Sequence, residues 1–216
     1  MIHERCIVDD NGYNDKNLYS SKFQRTNFRM KNRIKKHDIV LGFAGRYTSE
    51  KNIQSLLLAF SKIIKSYDNI YLCMVGKNIN TRNNELMTYI NDLNIRKKMF
   101  ILNEQKNLLK FYNGIDLLLL TSHSESFPNV VAEAMLCSTP VLSSNVGSSK
   151  KIIGDCGFIM KENDYLSILN KLKKCIVFFK TKKKEWKYLK KKSQLKIKKD
   201  FSIEKMANKY FKIWNL

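Results

Sequence analysis

Between Ile39 and Met160, short apolar runs alternate with stretches whose apolar residues recur every three or four positions, and this constrains the fold more than any other feature of the chain. Ile39–Ala44 is an apolar run closed by Gly45, the pattern of a strand buried on both faces. Ile53, Leu56, Leu57, Ala59, Phe60, Ile63 and Ile64 follow at helical spacing, and a second run, Ile70–Val75, stops at Gly76. The unit repeats. Leu86, Tyr89, Ile90 and Leu93 mark a helix face, 99–102 a third strand, 108–112 a short helix and 117–121 a fourth strand. A helix at 129–136, a strand at 141–143 and a last strand at 157–160 continue the series. The expected fold is α/β: a single Rossmann-like, doubly wound parallel sheet joined by right-handed crossovers.

The flanks read differently. Residues 1–38 are polar and irregular, with a turn signal at Asn11-Gly12 and a basic stretch at 25–36 suited to a short helix, so they read as a linker remnant ahead of a domain at 39–179. Residues 180–216 read as basic C-terminal helices. Ser202 is placed to cap the last of them, on which Ile203, Met206, Ala207, Tyr210, Phe211 and Trp214 share one stripe that should dock against another surface.

A chain of 216 residues that is 44% hydrophobic builds one good core but not two complete α/β domains. None of its uncharged apolar stretches, Leu117–Leu120 among them, approaches the roughly 20 residues a bilayer span requires. The first ten residues carry acidic groups and no apolar h-region, so a cytoplasmic location is expected. Cys6, Cys73, Cys137, Cys156 and Cys175 form no C-x-x-C pair, and His3, His37 and His123 show no ligand spacing, so neither a disulfide scaffold nor a metal or cofactor is expected. The net charge of +21, from 40 Lys and Arg against 19 Asp and Glu, permits contact with anionic lipid, nucleic acid or phosphate-bearing ligands. Its sign does not choose among them, and much of the excess is lysine in the tail.

In a doubly wound sheet the ligand lies beyond the carboxyl ends of the strands, so the chemistry should sit in the loops found there. The first of these, Gly45-Arg46-Tyr47-Thr48-Ser49-Glu50-Lys51-Asn52, sets two cations at a helix N-terminus, an arrangement that suits a bound diphosphate. The second runs from Ser122 to Glu133. Glu125 ends the loop, Pro128 and Asn129 begin a helix, and Glu133 follows among Val130, Val131, Ala132, Ala134 and Met135, where a carboxylate needs partners. Glu125 is placed to accept from sugar hydroxyls and Glu133 from a ribose diol. The third loop, Asn145-Val146-Gly147-Ser148-Ser149, is weak by itself. No Walker loop or Ser-His-Asp arrangement is present.

Taken together, and in order, these segments resemble the family-four retaining glycosyltransferases of the GT-B fold, specifically their C-terminal donor domain. The similar stretches are Asn11-Gly12-Tyr13-Asn14, Gly45-Arg46 with Glu50-Lys51-Asn52, Val75-Gly76, the signature Glu125-Ser126-Phe127-Pro128-Asn129-Val130-Val131-Ala132-Glu133, Thr139-Pro140-Val141, Ile153-Gly154-Asp155-Cys156-Gly157, and 201–214 as the terminal helix. The resemblance implies half of a GT-B fold in which Gly45 lets the donor approach while Arg46 and Lys51 bind its diphosphate. It further implies that Glu125 holds the transferred sugar, Ser126, Phe127, Pro128 and Asn129 cradle sugar or phosphate oxygens, and Glu133 holds the ribose. Arg46, Lys51 and Glu125 are the residues it makes catalytic, by electrostatic stabilisation of the leaving group without metal. The sequence departs from the family pattern at Ser126, Ser138 and Asn103, where glycine is usual, and at Lys151, where an acidic residue is common.

The expected partners are a nucleotide sugar, a separate acceptor-domain half and an anionic membrane surface contacted peripherally, with no specific nucleic acid. The alternatives are a non-catalytic nucleotide-sugar-binding subunit or inactive fragment, and a basic nucleic-acid- or membrane-binding module.

Overall fold

A computed structural model describes residues 10–214. Six parallel strands form one sheet: β1 (Ile39–Ala44), β2 (Ile70–Val75), β3 (Met99–Ile101), β4 (Leu117–Leu120), β5 (Val141–Ser144) and β6 (Phe158–Met160), in the spatial order β3-β2-β1-β4-β5-β6. The order reverses at β1, which pairs with β2 on one side and β4 on the other, so the switch point lies between β1 and β4. This is the doubly wound parallel sheet expected from the alternation.

Helices cover both faces. They are α1 (Lys22–Lys31), α2 (Ile53–Ile63), α3 (Asn84–Asp92), α4 (Leu109–Gly114), α5 (Asn129–Leu136), α6 (Ser149–Ile153), α7 (Tyr165–Thr181), α8 (Lys183–Asp200) and α9 (Ile203–Trp214). One layer of core joins Leu41, Phe43, Leu72 and Met74 of the sheet to α2, α3 and α7. The other joins Val40, Cys73, Val75 and Leu118 to α4, α5 and α6. On α2 alone, Leu56, Leu57, Phe60 and Ile63 are buried, each stabilising the fold by ~1.5–3 kcal/mol. Trp186 of α8 enters the first layer and Ile197 the second, so this helix straps both faces.

Helix α1 lies within residues 1–38, read from the sequence as linker, yet it is part of the core. Its Phe28 is buried against Gly114, where an added Cβ would stand 2.0 Å from the ring. Arg29 is also buried, donating to Asp116 Oδ2 at 3.2 Å and to the carbonyls of Lys35 and Asp38 at 2.8 and 2.7 Å, while Arg25 reaches Asp116 Oδ1 at 2.6 Å. Asp116 also accepts from the Val40 N–H at 2.8 Å, so this cluster clamps α1 to the start of β1 and β4. Burial pushes the Arg29 pKa down and the charge of Asp116 opposes that shift.

Ser202 does cap α9, accepting from the Lys205 N–H at 3.2 Å. Among the described residues the stripe of that helix packs only at its base, where the Gly12 N–H reaches Met206 Sδ at 3.1 Å; none of its residues is buried, and Phe211 and Trp214 are 69% and 82% exposed. Among the described residues no helix is long and apolar enough to cross a membrane.

Candidate functional site

The loops after β1, β4 and β5 meet at the carboxyl ends of the strands, beside the switch point. Beyond β1, Gly45 and Gly76 touch: an added Cβ on Gly76, whose φ is +143°, would lie 1.9 Å from the Gly45 carbonyl. The chain then makes a short 3-10 turn at Ser49–Lys51 and passes through left-handed Asn52 into α2. This turn is stitched to the loop after β4, since Thr121 donates to the Lys51 carbonyl at 3.0 Å and the His123 N–H to the Glu50 carbonyl at 2.7 Å. Ser144 of β5 donates to the Ser122 carbonyl at 2.8 Å. Gly147 lies against the same loop, where a Cβ would fall 2.1 Å from the Glu125 carbonyl, so the small-residue loop after β5 packs directly on the signature glutamate's backbone.

This stitching brings Lys51 and Glu125 together. Lys51 Nζ donates to Glu125 Oε1 at 2.5 Å, with both side chains mostly buried, and the Ser122 hydroxyl donates to the same oxygen at 2.7 Å. The diphosphate cation and the sugar carboxylate expected from the sequence are therefore each other's partners. Arg46 is exposed and enters no ion pair among the described residues. A cavity of about 620 Å³ opens beside this loop, walled by Tyr47, Thr48, Glu50, Glu85 and His123 and not by Arg46, Lys51, Glu125 or Glu133. Burial, with Glu85 alongside, pushes the Tyr47 hydroxyl up to about 12.

Helix α5 carries the rest. Pro128 takes the N-cap position with Asn129 as the first helical residue, so α5 spans the 129–136 expected of it. Among the described residues the N–H groups of Ser126, Phe127 and Asn129 make no hydrogen bond, so the positive end of the helix is open to an anion. Glu133 is half-buried one layer below. The fully buried Tyr112 donates to its Oε2 at 2.7 Å, and Oε1 has no partner among the described residues. Burial and the nearby Glu133 charge push both the Tyr112 and Tyr13 hydroxyls upward.

Tyr13 is the residue that spacing alone gave no role. Its hydroxyl donates to Asn129 Oδ1 at 2.6 Å, its ring stacks on Phe127, and Asn11 donates to the same Asn129 oxygen at 2.9 Å. The backbone of Tyr13 bonds Phe201 and Ile203, so the Asn11-Gly12-Tyr13 turn joins the α5 N-terminus to the base of α9. Tyr112 and Ser122 were equally invisible as partners, because only the fold sets them beside Glu133 and Glu125.

Among the described residues, no three of His, Cys, Asp and Glu stand close enough to hold a metal ion. Cys73, Cys137, Cys156 and Cys175 are free and buried, and burial pushes the thiols of Cys137 and Cys175 up to about 12, which disfavours nucleophilic use. Cys6 and His3 lie outside the described residues.

Comparison with known proteins follows this geometry. The family model described as "Glycosyl transferases group 1" matches residues 24–194, which includes most of α1 and every strand. The capsular polysaccharide biosynthesis glycosyltransferase CapM of Staphylococcus aureus is 28% identical over 160 residues, covering 72% of this chain and 42% of CapM. A glycosyltransferase structure from Rickettsia africae superposes with a TM-score of 0.84 at 20% identity, over 96% of this chain and 56% of that one. Anabaena HepE, solved in complex with UDP and glucose, superposes with a TM-score of 0.82 at 19% identity, over 95% of this chain and 55% of HepE. The chain thus spans about half the length of the proteins it resembles. With the family model matching well over half of its residues and its sheet shared with GT-B enzymes, this chain belongs to the group 1 glycosyl transferases, the family-four type of the GT-B fold.

Proposed function

We propose that this chain is the donor-binding half of a retaining glycosyltransferase, which transfers a sugar from a nucleotide sugar to a glycan or lipid-linked acceptor held by a separate acceptor-binding half. The observation that carries the reading is the convergence of Lys51, Glu125 and the open N–H groups of Ser126, Phe127 and Asn129 on one loop cluster, with Glu133 beneath it. Arg46 and Lys51 supply positive charge to a diphosphate and stabilise it as it leaves, assisted by the α5 N-terminus. Gly45 keeps the approach open. Glu125 receives the sugar hydroxyls once Lys51 turns to phosphate, and Glu133 receives the ribose through Oε1. Ser126, Phe127, Pro128 and Asn129 line the cradle. HepE, which holds UDP and glucose, supports this choice of ligand class.

An acceptor-binding half belongs to the reading because the chain spans about half the length of the glycosyltransferases it matches. Positioning of the acceptor supplies much of a bimolecular rate, so transfer requires both halves. The same reading places the protein in the cytoplasm, at the inner face of the membrane.

Titration calorimetry of the chain against uridine, guanosine and adenosine diphosphates and their sugar conjugates, without metal, tests the reading. Saturable heat with at least one base is expected, and its loss in Glu133→Gln while the variant stays folded. Flat heats across the panel for folded protein would refute donor binding.

A further inference from the structure

The outward face of α8 has no part in the site described above. Among the exposed positions of this helix, Lys184, Lys187, Tyr188, Lys191, Leu195 and Lys198 recur at a spacing of three or four that lines them along one stripe. The opposite side is occupied: Trp186, Ser193 and Ile197 are buried in the domain. The lysines off the stripe are largely spoken for within the fold. Lys192 pairs with Asp155 and Lys196 with Asp200, while Lys183 lies over the Phe179 ring; on the stripe itself Lys198 pairs with Asp15. Lys184, Lys187 and Lys191 enter no ion pair among the described residues. Between them Tyr188 and Leu195 stand 66% and 53% exposed. The two side chains give the basic stripe an apolar component.

We propose that this stripe of α8 is a docking surface for an anionic lipid bilayer, contacted through Lys184, Lys187 and Lys191, with Tyr188 and Leu195 seated at the level of the headgroups. Uncompensated lysines are attracted to an anionic leaflet, and a tyrosine offers an apolar body with a polar tip suited to the interface. Nucleic acid is the poorer match. The helix has no arginine for bidentate phosphate contacts, it presents a convex ridge and not a groove, and an exposed leucine gains nothing from a phosphate backbone. The surface deepens the membrane location proposed above and names the element that would hold it, independently of nucleotide binding.

Flotation of the full chain with vesicles of phosphatidylcholine alone, or mixed with phosphatidylglycerol, tests it. Binding is expected only to the mixed vesicles and should weaken as salt rises. Lys184→Gln, Lys187→Gln and Lys191→Gln combined should lower the partition coefficient by roughly a hundredfold. The combination Lys97→Gln, Lys106→Gln and Lys110→Gln removes the same charge from exposed positions elsewhere and should cost far less. Tyr188→Ser with Leu195→Ser should weaken vesicle binding and leave binding of a single-stranded oligonucleotide unchanged. Nucleotide titration on each variant reports folding and donor binding separately. Equal losses from the two lysine sets, binding to phosphatidylcholine alone, or indifference to the Tyr188 and Leu195 changes would overturn the proposal.

Discussion

The hydroxyl of Tyr112 donates a 2.7 Å hydrogen bond to Glu133 Oε2 from a ring with no exposure, so one oxygen of the carboxylate is fixed and the other has no partner among the described residues. Tyr112 is in this sense a positioning residue for the group proposed to hold the ribose. Tyr112→Phe keeps the ring and removes the donor, so nucleoside diphosphate affinity is expected to fall ~3- to 10-fold. Inorganic pyrophosphate, which has no ribose, should bind as before. If both ligands weaken equally in folded protein, Tyr112 acts through general stability and not through Glu133.

Asp116 holds Arg25, Arg29 and the Val40 N–H at once, and Arg29 is 7% exposed. Asp116→Asn keeps the shape but leaves a buried guanidinium without its counter-charge, an imbalance that typically costs ~3–5 kcal/mol. Urea unfolding should show a lower midpoint of that order, accompanied by loosening of α1. A change below about 1 kcal/mol, the scale of an exposed pair, would show the cluster to be dispensable.

Which parts of this were legible in the sequence follows from the range of the forces involved. The strands and helices from Ile39 to Met160 were, because a buried parallel sheet writes itself as continuous apolar runs and its helices as periodic ones. Helix α1 was read as linker because its interior is held by Arg25, Arg29 and Phe28, and two arginines clamped by a distant aspartate look like a solvated basic stretch. Lys51 and Glu125 were each legible through their neighbours, but not their contact, which spans 74 positions of sequence and depends on β1 and β4 lying side by side. Tyr13 and Asn129, 116 positions apart, meet for the same kind of reason.

Two of the positions where the family usually has glycine explain themselves in the backbone. Asn103 and Ser138 both have positive φ, +56° and +57°. Ser138 closes α5 in a Schellman motif: its N–H bonds the Met135 carbonyl at 2.9 Å, and that of Thr139 bonds Ala134 at 2.9 Å. Asparagine tolerates this conformation, whereas serine is strained in it by ~1–2 kcal/mol. Ser138→Gly should relieve the strain, offset in part by the greater freedom of glycine in the unfolded chain, and stabilise the protein by up to ~1 kcal/mol. Thermal unfolding should therefore shift upward by roughly 2–4 °C. A lowered midpoint would mean that the serine side chain contributes more than its backbone strain costs.

The pair between Lys51 and Glu125 sets the last expectation. At 2.5 Å, with both side chains mostly buried, each is the other's counter-charge, and under the proposed function a donor parts them so that Lys51 meets phosphate and Glu125 meets sugar. Ser122 is a second donor to the same carboxylate oxygen. Glu125→Gln removes the charge, keeps the size and releases Lys51. Binding of a plain nucleoside diphosphate should then hold or tighten, by up to ~10-fold if the released lysine recovers about 1.4 kcal/mol of phosphate contact. The matching nucleotide sugar gains from the same release but loses a charged acceptor for its hydroxyls, a bond worth ~1.5–3 kcal/mol. Its advantage over the diphosphate should therefore shrink or invert. Lys51→Gln is predicted to do the reverse in part, weakening both ligands through the diphosphate. Side-by-side titration of the two variants and the unmodified chain at one salt concentration checks the pattern. If Glu125→Gln weakens the diphosphate as much as the nucleotide sugar, the carboxylate is not the sugar's partner, and the pair with Lys51 is structural.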